Sequence, residues 1–320
     1  MTGALLADAA EARHAAVAVK VPDTKVEHPQ VGVNDADLVF VELDGYRDAA
    51  GYSGTRLVAV FHSTMPAAVG PVRSMRPVDV PLLSPIHAII GHTGGAGSVV
   101  DYVESYDEFL VADLSYMDTR GTGSYTIDNS RVYWQGGKLH YDRAVFCHPS
   151  VLARQTTRFA DGPPAPYLPF ATSDADVSTL AGRVARTVRI PWGSGDTYTV
   201  SYSFDEASGR YLRGMPWGPH TLADGARAGA DNVLVVRARQ RYATIGGQGG
   251  EEPFHEILDT SGPFDYLHAG RHVAGTWAKA GVAEPFVFTL DGGGPLKVAP
   301  GRTWVELAST DAGVSVSQDG

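Results

Sequence analysis

The sequence predicts a two-domain protein of the α+β or α/β class, with an N-terminal α/β sandwich-like domain followed by a smaller, predominantly antiparallel β domain. The first reason is length, because 320 residues exceed the size at which one hydrophobic core usually stops growing. The second reason is that the first half alternates short apolar runs with helix-compatible segments. The third is that the second half alternates apolar and polar residues with the period of a strand.

Three apolar runs in the first half, at 36–43, 55–63 and 85–95, predict buried strands, because they are bounded by glycine, proline or aspartate. A helix is predicted to follow within 98–114, with Ser98 as its N-cap and apolar residues at helical spacing. Strands and helices that alternate in this way assemble into an α/β layer.

A proline-rich connection at 161–180 is the predicted boundary between an N-terminal domain at 1–160 and a β-rich domain at 181–310. The last residues, 311–320, are short and polar and predict a frayed tail. The turn residues at 205–209 predict a hairpin. The predicted strands of the second half lie at 186–192, 197–205, 209–214, 231–243, 271–279, 285–292 and 303–307.

The formal net charge of −10 disfavours nucleic acid as a partner, because two polyanions repel each other at long range. No apolar run reaches the roughly 18 residues of a membrane span, and the first residues lack the basic region and apolar core of a signal peptide. Cys147 is the only cysteine, which excludes an intramolecular disulfide and a cysteine-rich zinc site. We predict no cofactor and no metal, because the usual phosphate-loop, zincin, calcium-loop and nucleophile-elbow motifs are absent.

Two histidines follow predicted strands, His62 and His92. If those strands are neighbours and parallel, both imidazoles emerge at one sheet edge, where a histidine pair shuttles protons or binds a metal. The favoured alternative is that both rings bond to backbone, because metal sites usually have more ligands. The loop at 91–98, "GHTGGAGS", is interpreted as a tight turn in preference to an anion site, because it has no phosphate-binding lysine.

Cys147 and His148 are adjacent in sequence, which is not the arrangement that activates a thiol, because a nucleophile and its base must meet in space. We therefore expect a buried structural cysteine. His148 precedes a proline and is expected to be extended.

The segment 69–80, "VGPVRSMRPVDV", places two arginines three residues apart between prolines. A guanidinium presents a planar donor fork that suits carboxylate or phosphate. Arg73 and Arg76 share a face if a helix begins here, although Pro77 limits where it can begin. The alternative is that Arg73 pairs with Asp79 or with an acid of the 34–43 run and holds a loop down, and residue chemistry does not separate the two interpretations.

Motifs along nearly the whole chain resemble the YerB-like lipoprotein family of Gram-positive bacteria, whose domains have no assigned function. The most specific motifs are "VGPVRSMRPVD" at 69–79 and the "PGRTWVEL" that follows Ala299, whereas "HTGG" at 92–95 is less specific. The sequence departs from the family at 140–152, where a proline–histidine–asparagine motif is expected and the asparagine is missing. A role for His148 is therefore not carried over.

The resemblance implies an exported protein that is normally lipid-anchored on the outer face of the cytoplasmic membrane. It thus implies an extracytoplasmic location in the cell envelope or a secreted form, with membrane contact only through an anchor that is absent from this sequence. It implies an N-terminal α/β domain, a smaller β-rich domain and no established reaction.

The leading hypothesis is an envelope-associated binding or accessory protein that recognises an anionic or glycan ligand. Its candidate ligand-binding residues are Arg73, Arg76, Asp79, His92 and Arg143. One alternative is a hydrolase or transferase that acts on envelope polymers or phosphorylated lipids. Another is a non-catalytic scaffold whose β domain docks a partner protein.

Overall fold

The structure, a computed structural model, describes residues 1–5, 8–45, 54–193 and 198–318, and most of their regular elements are strands. The strands are β1 (Val17–Pro22), β2 (Leu38–Leu43), β3 (Thr55–Phe61), β4 (Ile89–Gly91), β5 (Tyr125–Ile127), β6 (Tyr133–Gln135), β7 (Lys138–His140), β8 (Val145–Cys147), β9 (Arg183–Val184), β10 (Thr187–Pro191), β11 (Thr199–Asp205), β12 (Arg210–Met215), β13 (Gly218–Pro219), β14 (Gly229–Ala230), β15 (Asn232–Ile245), β16 (Gln248–Glu256), β17 (Thr260–His268), β18 (Arg271–Lys279), β19 (Val287–Leu290), β20 (Thr303–Ser309) and β21 (Ser315–Ser317). The α-helices are α1 (Asp79–Leu83), α2 (Gly97–Glu104) and α3 (Pro149–Ala153). Short 3₁₀ segments lie at Ala9–Ala12, Val33–Asp35, Ser84–Ile86, Asn129–Arg131, Asp174–Asp176 and Ser178–Ala181.

The helix-rich α/β layer predicted for the first half is not confirmed, because its helices are too short to cover a sheet. α1 and α3 have five residues each and α2 has eight. Pro85 cannot continue α1, and α2 ends at Glu104, well before the end of the predicted helical segment. Ser98 lies inside α2, whose N-cap is Ala96. None of the helices in the described ranges has the length and hydrophobicity that a membrane-spanning helix needs.

One mixed sheet joins the two halves of the sequence. Its strand order is β19-β18-β17-β15-β20-β2-β3-β1-β4, with β16 paired to β15 and β9 paired to β18. The pairings β1–β4, β2–β20 and β15–β20 are parallel, and the others are antiparallel. In register, Val305 of β20 lies between Phe40 of β2 and Leu234 of β15. The connection at 161–180 therefore separates two stretches of sequence that share one sheet and one hydrophobic core.

The strands β1, β2 and β3 are buried at every position. A strand covered on both faces carries a nearly continuous apolar run, which is the pattern that the sequence shows at 17–21 and 38–41. The predicted strands of the first half are thus present, although they belong to a mixed sheet instead of an α/β layer.

A second sheet, of order β13-β12-β11-β10-β21, comes from the second half, and β14 pairs with β12. Its β11–β12 hairpin pairs Asp205 with Arg210, as the turn residues predicted. The frayed tail was a wrong prediction for the described residues at 315–317, because β21 pairs with β10. Strand pairing uses backbone groups, so a short polar segment can add to a sheet edge without an apolar face.

Arg213 of β12 ties the second sheet to both halves of the mixed sheet. Its side chain is fully buried and forms ion pairs with Asp23, just after β1, at 2.8 Å and with Glu306 of β20 at 3.6 Å. Glu306 also accepts hydrogen bonds from the Tyr202 hydroxyl at 2.6 Å and from the Trp192 indole N–H at 2.9 Å. Burial raises the pKa of Glu306, while Arg213 and these two donors favour its charged form.

Because β20 pairs with β2 from the first half and with β15 from the second, a cavity made in β20 should destabilise both neighbours equally. We expect Val305→Ala, at a buried position in register with both Phe40 and Leu234, to lower the free energy of unfolding by about 1 to 3 kcal/mol. Hydrogen exchange followed by mass spectrometry should show equal losses of protection in peptides from β2 and β15. A loss confined to the second half would show that the halves unfold separately.

Candidate functional site

The arginine segment at 71–76 has no regular secondary structure and lies between β1 and the loop that follows β4. The Arg73 N–H donates to the Lys20 carbonyl at 2.9 Å, and the Arg73 carbonyl accepts from the Thr93 N–H at 3.0 Å. The Met75 N–H donates to the Gly94 carbonyl at 2.9 Å. Arg73 and Arg76 do not share a helical face, because α1 begins after them, at Asp79.

Arg76 points inward and is used by the fold. Its guanidinium donates to the Asp44 carbonyl from Nε at 2.7 Å and from Nη2 at 2.5 Å, and lies 3.8 Å from the Glu252 carboxylate. Burial and the nearby Arg56 lower the pKa of Arg76 below the ordinary guanidinium value. The anchoring arginine is thus Arg76, whereas the structural alternative had paired Arg73 with Asp79 or with an acid of 34–43.

Asp79 is fully buried and belongs to an ion network under the arginine segment. Lys20 Nζ lies 2.5 Å from Asp79 Oδ1 and 2.5 Å from Glu42 Oε1, with all three side chains buried. The second Asp79 oxygen accepts from the Arg76 N–H at 2.7 Å. Burial raises the pKa of Glu42 although Lys20 opposes the shift. Both oxygens of Asp79 are therefore taken by the protein.

The two strand-end histidines do not meet. β1 separates β3 from β4, and β3 runs antiparallel to β4, so His62 and His92 leave the sheet at opposite ends. His92 is buried, its Nε2 lies 2.7 Å from the Ala112 carbonyl, and its Nδ1 accepts from the Gly94 N–H at 2.9 Å. Burial lowers the pKa of His92. The N–H groups of Thr93 and Gly94 are bonded within the protein, which supports the turn interpretation of this loop.

Arg73 and Arg143 are the predicted site residues that the structure brings close to one another, through Asp142. Arg73 is 30% exposed, with its Nε 3.1 Å from Glu27 Oε1 and its Nη1 4.0 Å from Asp142 Oδ2. The same Asp142 oxygen accepts from the Tyr133 hydroxyl at 3.0 Å. The Arg143 guanidinium carbon lies 4.0 Å from the centre of the Tyr133 ring.

Arg131 completes this group. Its Nη2 donates to the carbonyls of Glu27 at 3.0 Å and Pro29 at 3.1 Å, and its guanidinium carbon lies 5.4 Å from the Phe146 ring centre. Burial lowers the pKa of Arg131, and the nearby charge of Arg143 adds to that shift. We call the group the arginine cluster, and it consists of Arg73, Arg131, Tyr133, Asp142 and Arg143.

A two-stranded arm, residues 133–140, rises next to the cluster. Its strands β6 and β7 pair only with each other among the described strands, and they are joined by Gly136 and Gly137, both at positive φ. Such angles suit glycine at a tight hairpin turn. Tyr133 and His140 stack on one face with ring centres 5.1 Å apart, and the next pair, Trp134 and Leu139, lies on the other face. Trp134 is 72% exposed.

Cys147 is buried, as expected for a structural cysteine, and burial raises the pKa of its thiol. His148 Nδ1 lies 2.6 Å from the Ala67 carbonyl, and its Nε2 lies 3.0 Å from the Thr126 hydroxyl. Both ring nitrogens of His148 are thus engaged with protein groups.

Asp23, His28 and His220 offer ligand atoms within 4.8 Å of one another, but a guanidinium already occupies this position. Arg213 Nη1 donates to Asp23 Oδ1 at 3.1 Å and lies 3.1 Å from His220 Nδ1. Burial would raise the pKa of Asp23, yet Arg213 and His28 outweigh it and the net pKa is lowered. A metal ion here would face a buried positive charge, so we interpret the group as a hydrogen-bond network.

The residues of this region that sequence reasoning missed are Arg131, Tyr133, Trp134 and Asp142. The signal that could have found the arm is "YWQGGKLHYD" at 133–142, in which two glycines separate two short strand-like runs. It could not have placed Arg73 beside Asp142, because that contact joins segments that are distant in sequence.

Two family models match successive parts of the chain. Residues 1–155 match "Protein of unknown function (DUF3048) N-terminal domain", and residues 188–305 match "Protein of unknown function (DUF3048) C-terminal domain". A relative from Bacillus subtilis (strain 168), named "Putative lipoprotein YerB", is 27% identical over 316 residues, covering 94% of this chain and 83% of the relative. The chain belongs to the YerB-like DUF3048 family.

The family identified from the sequence motifs is thereby confirmed, as is the presence of two family domains in one DUF3048 chain. A crystal structure of the YerB protein from Bacillus subtilis has the same fold, with a TM-score of 0.75 at 21% identity and 97% coverage of each chain. The fold described above is therefore shared with that protein.

The two arginines of the family's 69–79 motif should separate in a stability measurement. Arg76→Ala should lower the free energy of unfolding by about 1 to 3 kcal/mol, because it leaves the buried Asp44 carbonyl without its donors. Arg73→Ala should cost less than about 1 kcal/mol, because Arg73 is partly exposed and Glu27 keeps its bond from Thr24. Urea denaturation measures both, with Arg76→Lys as an intermediate control. Equal costs for the two alanine variants would refute this division.

Proposed function

We propose that this DUF3048 protein is an extracytoplasmic, envelope-associated binding protein that recognises an anionic saccharide at the arginine cluster. An anionic saccharide here means a sugar that carries a carboxylate or a phosphate. The proposed location is supported by the name of the Bacillus subtilis relative, "Putative lipoprotein YerB", because a lipoprotein is held at a membrane surface by its lipid anchor.

The observation that carries the proposal is the state of Arg143. Its guanidinium is stacked on Tyr133, and its Nε is buried without a hydrogen-bond partner among the described residues. Asp142 Oδ1, beside it, also has no such partner in the described chain. Stacking fixes the plane of the guanidinium, so a ligand carboxylate or phosphate can meet its donor fork without further ordering of the side chain.

The cluster is less acidic than the protein as a whole. Its three guanidiniums face the carboxylates of Glu27 and Asp142 and the exposed carboxylate of Asp128 beside Arg131, so the charges nearly balance within a protein of net charge −10. The overall charge of −10 opposes long polyanions through repulsion, whereas a short ligand with one charged group meets mainly the local field.

The arm supplies the contact for a sugar. Trp134, exposed at its outer face beside Leu139, offers an apolar ring of the kind that packs against the C–H face of a pyranose. The other face of the arm carries Tyr133, and the Arg143 guanidinium lies over its ring. A ligand of at least two sugar units is needed to contact both faces of the arm.

The test compares N-acetylglucosaminyl-N-acetylmuramic acid with N,N′-diacetylchitobiose by titration calorimetry, because the two disaccharides differ in the lactyl ether that carries the carboxylate. We expect only the charged disaccharide to bind tightly, because diacetylchitobiose offers no carboxylate to Arg143. Arg143→Ala should weaken binding about tenfold or more, the effect of losing a hydrogen bond to a charged group. Trp134→Ala should weaken binding of both sugars.

Arg186→Ala is the matched control, because Arg186 also stacks on an aromatic ring, Phe204, and pairs with an acid, Glu206, in the second sheet. It should leave affinity unchanged. Equal affinity for the two disaccharides, or an Arg143→Ala variant that binds normally, would contradict the proposal. Mass spectrometry of the recovered disaccharide adds a second readout, since a cleaved or transferred product would favour a hydrolase or transferase.

A further inference from the structure

An arginine-lined cavity, separate from the arginine cluster, lies between the residues just before β1 and those just after α3. Its volume is about 300 Å³, at the small end of the range for ligand pockets. Arg13 and His14 line it just before β1, Met65 lines it after β3, and Arg154 and Arg158 line it just after α3. We call this cavity the Arg154 pocket. None of its residues belongs to the arginine cluster.

The three arginines that line the pocket have no acidic partner among the described residues. Arg13, Arg154 and Arg158 form no ion pair with any residue in the described part of the chain, although the protein has ten more acidic than basic residues. Three like charges around one cavity repel each other, and an anion placed between them removes that repulsion. The pocket is thus electrostatically suited to a group with more than one negative charge.

The remaining walls divide into apolar and hydroxyl groups. Met65, Ala15 and Ala153 supply apolar surface, and Ser150 and Thr156 supply hydroxyl donors. His14 stacks on His62 with ring centres 4.4 Å apart, and His62 Nε2 lies 3.0 Å from the Ala12 carbonyl. The β1 side of the pocket is therefore held in place before any ligand arrives.

We propose that the Arg154 pocket binds a phosphate monoester that carries a small apolar substituent. The phosphate oxygens would take the guanidinium and hydroxyl donors, and the substituent would lie against Met65 and the alanines. A phosphate monoester fits better than a carboxylate, because it brings nearly two charges and three acceptor oxygens to three guanidiniums. This site is independent of the saccharide proposal.

The probes are phenyl phosphate, inorganic phosphate and phenol, each titrated into the full chain. Phenyl phosphate should bind best, inorganic phosphate more weakly because it leaves the apolar wall uncovered, and phenol not measurably. Arg154→Ala should weaken phenyl phosphate binding about tenfold, the cost of one charged hydrogen-bonding partner. The double variant Arg154→Ala, Arg158→Ala should abolish binding, while Arg186→Ala, outside both proposed sites, should leave it unchanged.

The source of the phosphate is separated by vesicle flotation. Retention of the protein on phosphatidylcholine vesicles that contain phosphatidic acid, lost in the double variant, assigns the pocket to a lipid headgroup. Binding of phenyl phosphate without vesicle retention assigns it to a soluble phosphate ester. Both outcomes support the site.

The proposal is overturned if phenyl phosphate binds the double variant as tightly as the original chain, or if none of the phosphate probes binds. Thermal melting of the unliganded variants is the folding control, because the exposed arginines without ion pairs should leave the melting temperature nearly unchanged. A variant that melts early and also loses binding would instead indicate a structural role and would count against the site.

Discussion

The insertion of β20 between β2 and β15 is the constraint on which the rest of the structure depends. It makes the two family domains into one sheet, with β1 to β4 on one side and β9 and β15 to β19 on the other. Arg213 then fixes the second sheet, because its buried charge must remain beside Asp23 and Glu306. Loss of one partner from such a group is costly, since it leaves the other charges buried and uncompensated.

Buried partners also distinguish the roles of Arg73 and Arg76. Lys20, Glu42 and Asp79 form an enclosed ion network directly below the 71–76 segment, and Arg76 joins it from above. Arg76 is anchored inward at the Asp44 carbonyl, whereas Arg73 is partly exposed and lies toward Asp142. A structural ion network thus lies beside one member of the arginine cluster, so the same stretch takes part in folding and in the proposed recognition surface.

Sequence reasoning reached the family, the buried strands, the β11–β12 hairpin and the β-rich second half, because apolar runs and turn residues are local signals. It predicted the two family domains but not the sheet that they share, because the β2–β20 pairing joins residues 38–41 to 303–306 and leaves no local signal in the sequence. Three of the proposed site residues, Asp79, Arg76 and His92, form hydrogen bonds with groups inside the protein. Their partners, Lys20, the Asp44 carbonyl and the Ala112 carbonyl, lie on segments that only the fold brings near.

The central claim is that the arginine cluster and the outer face of the arm form one recognition surface. The most direct measurement is an NMR titration of the five tryptophan indole N–H signals with N-acetylglucosaminyl-N-acetylmuramic acid. Trp134 is 72% exposed, whereas Trp192, Trp277 and Trp304 are buried and Trp217 is half-buried. We predict that the Trp134 signal shifts progressively to saturation while the other four signals stay in place. A Trp134 signal that does not move while the sugar binds would contradict it.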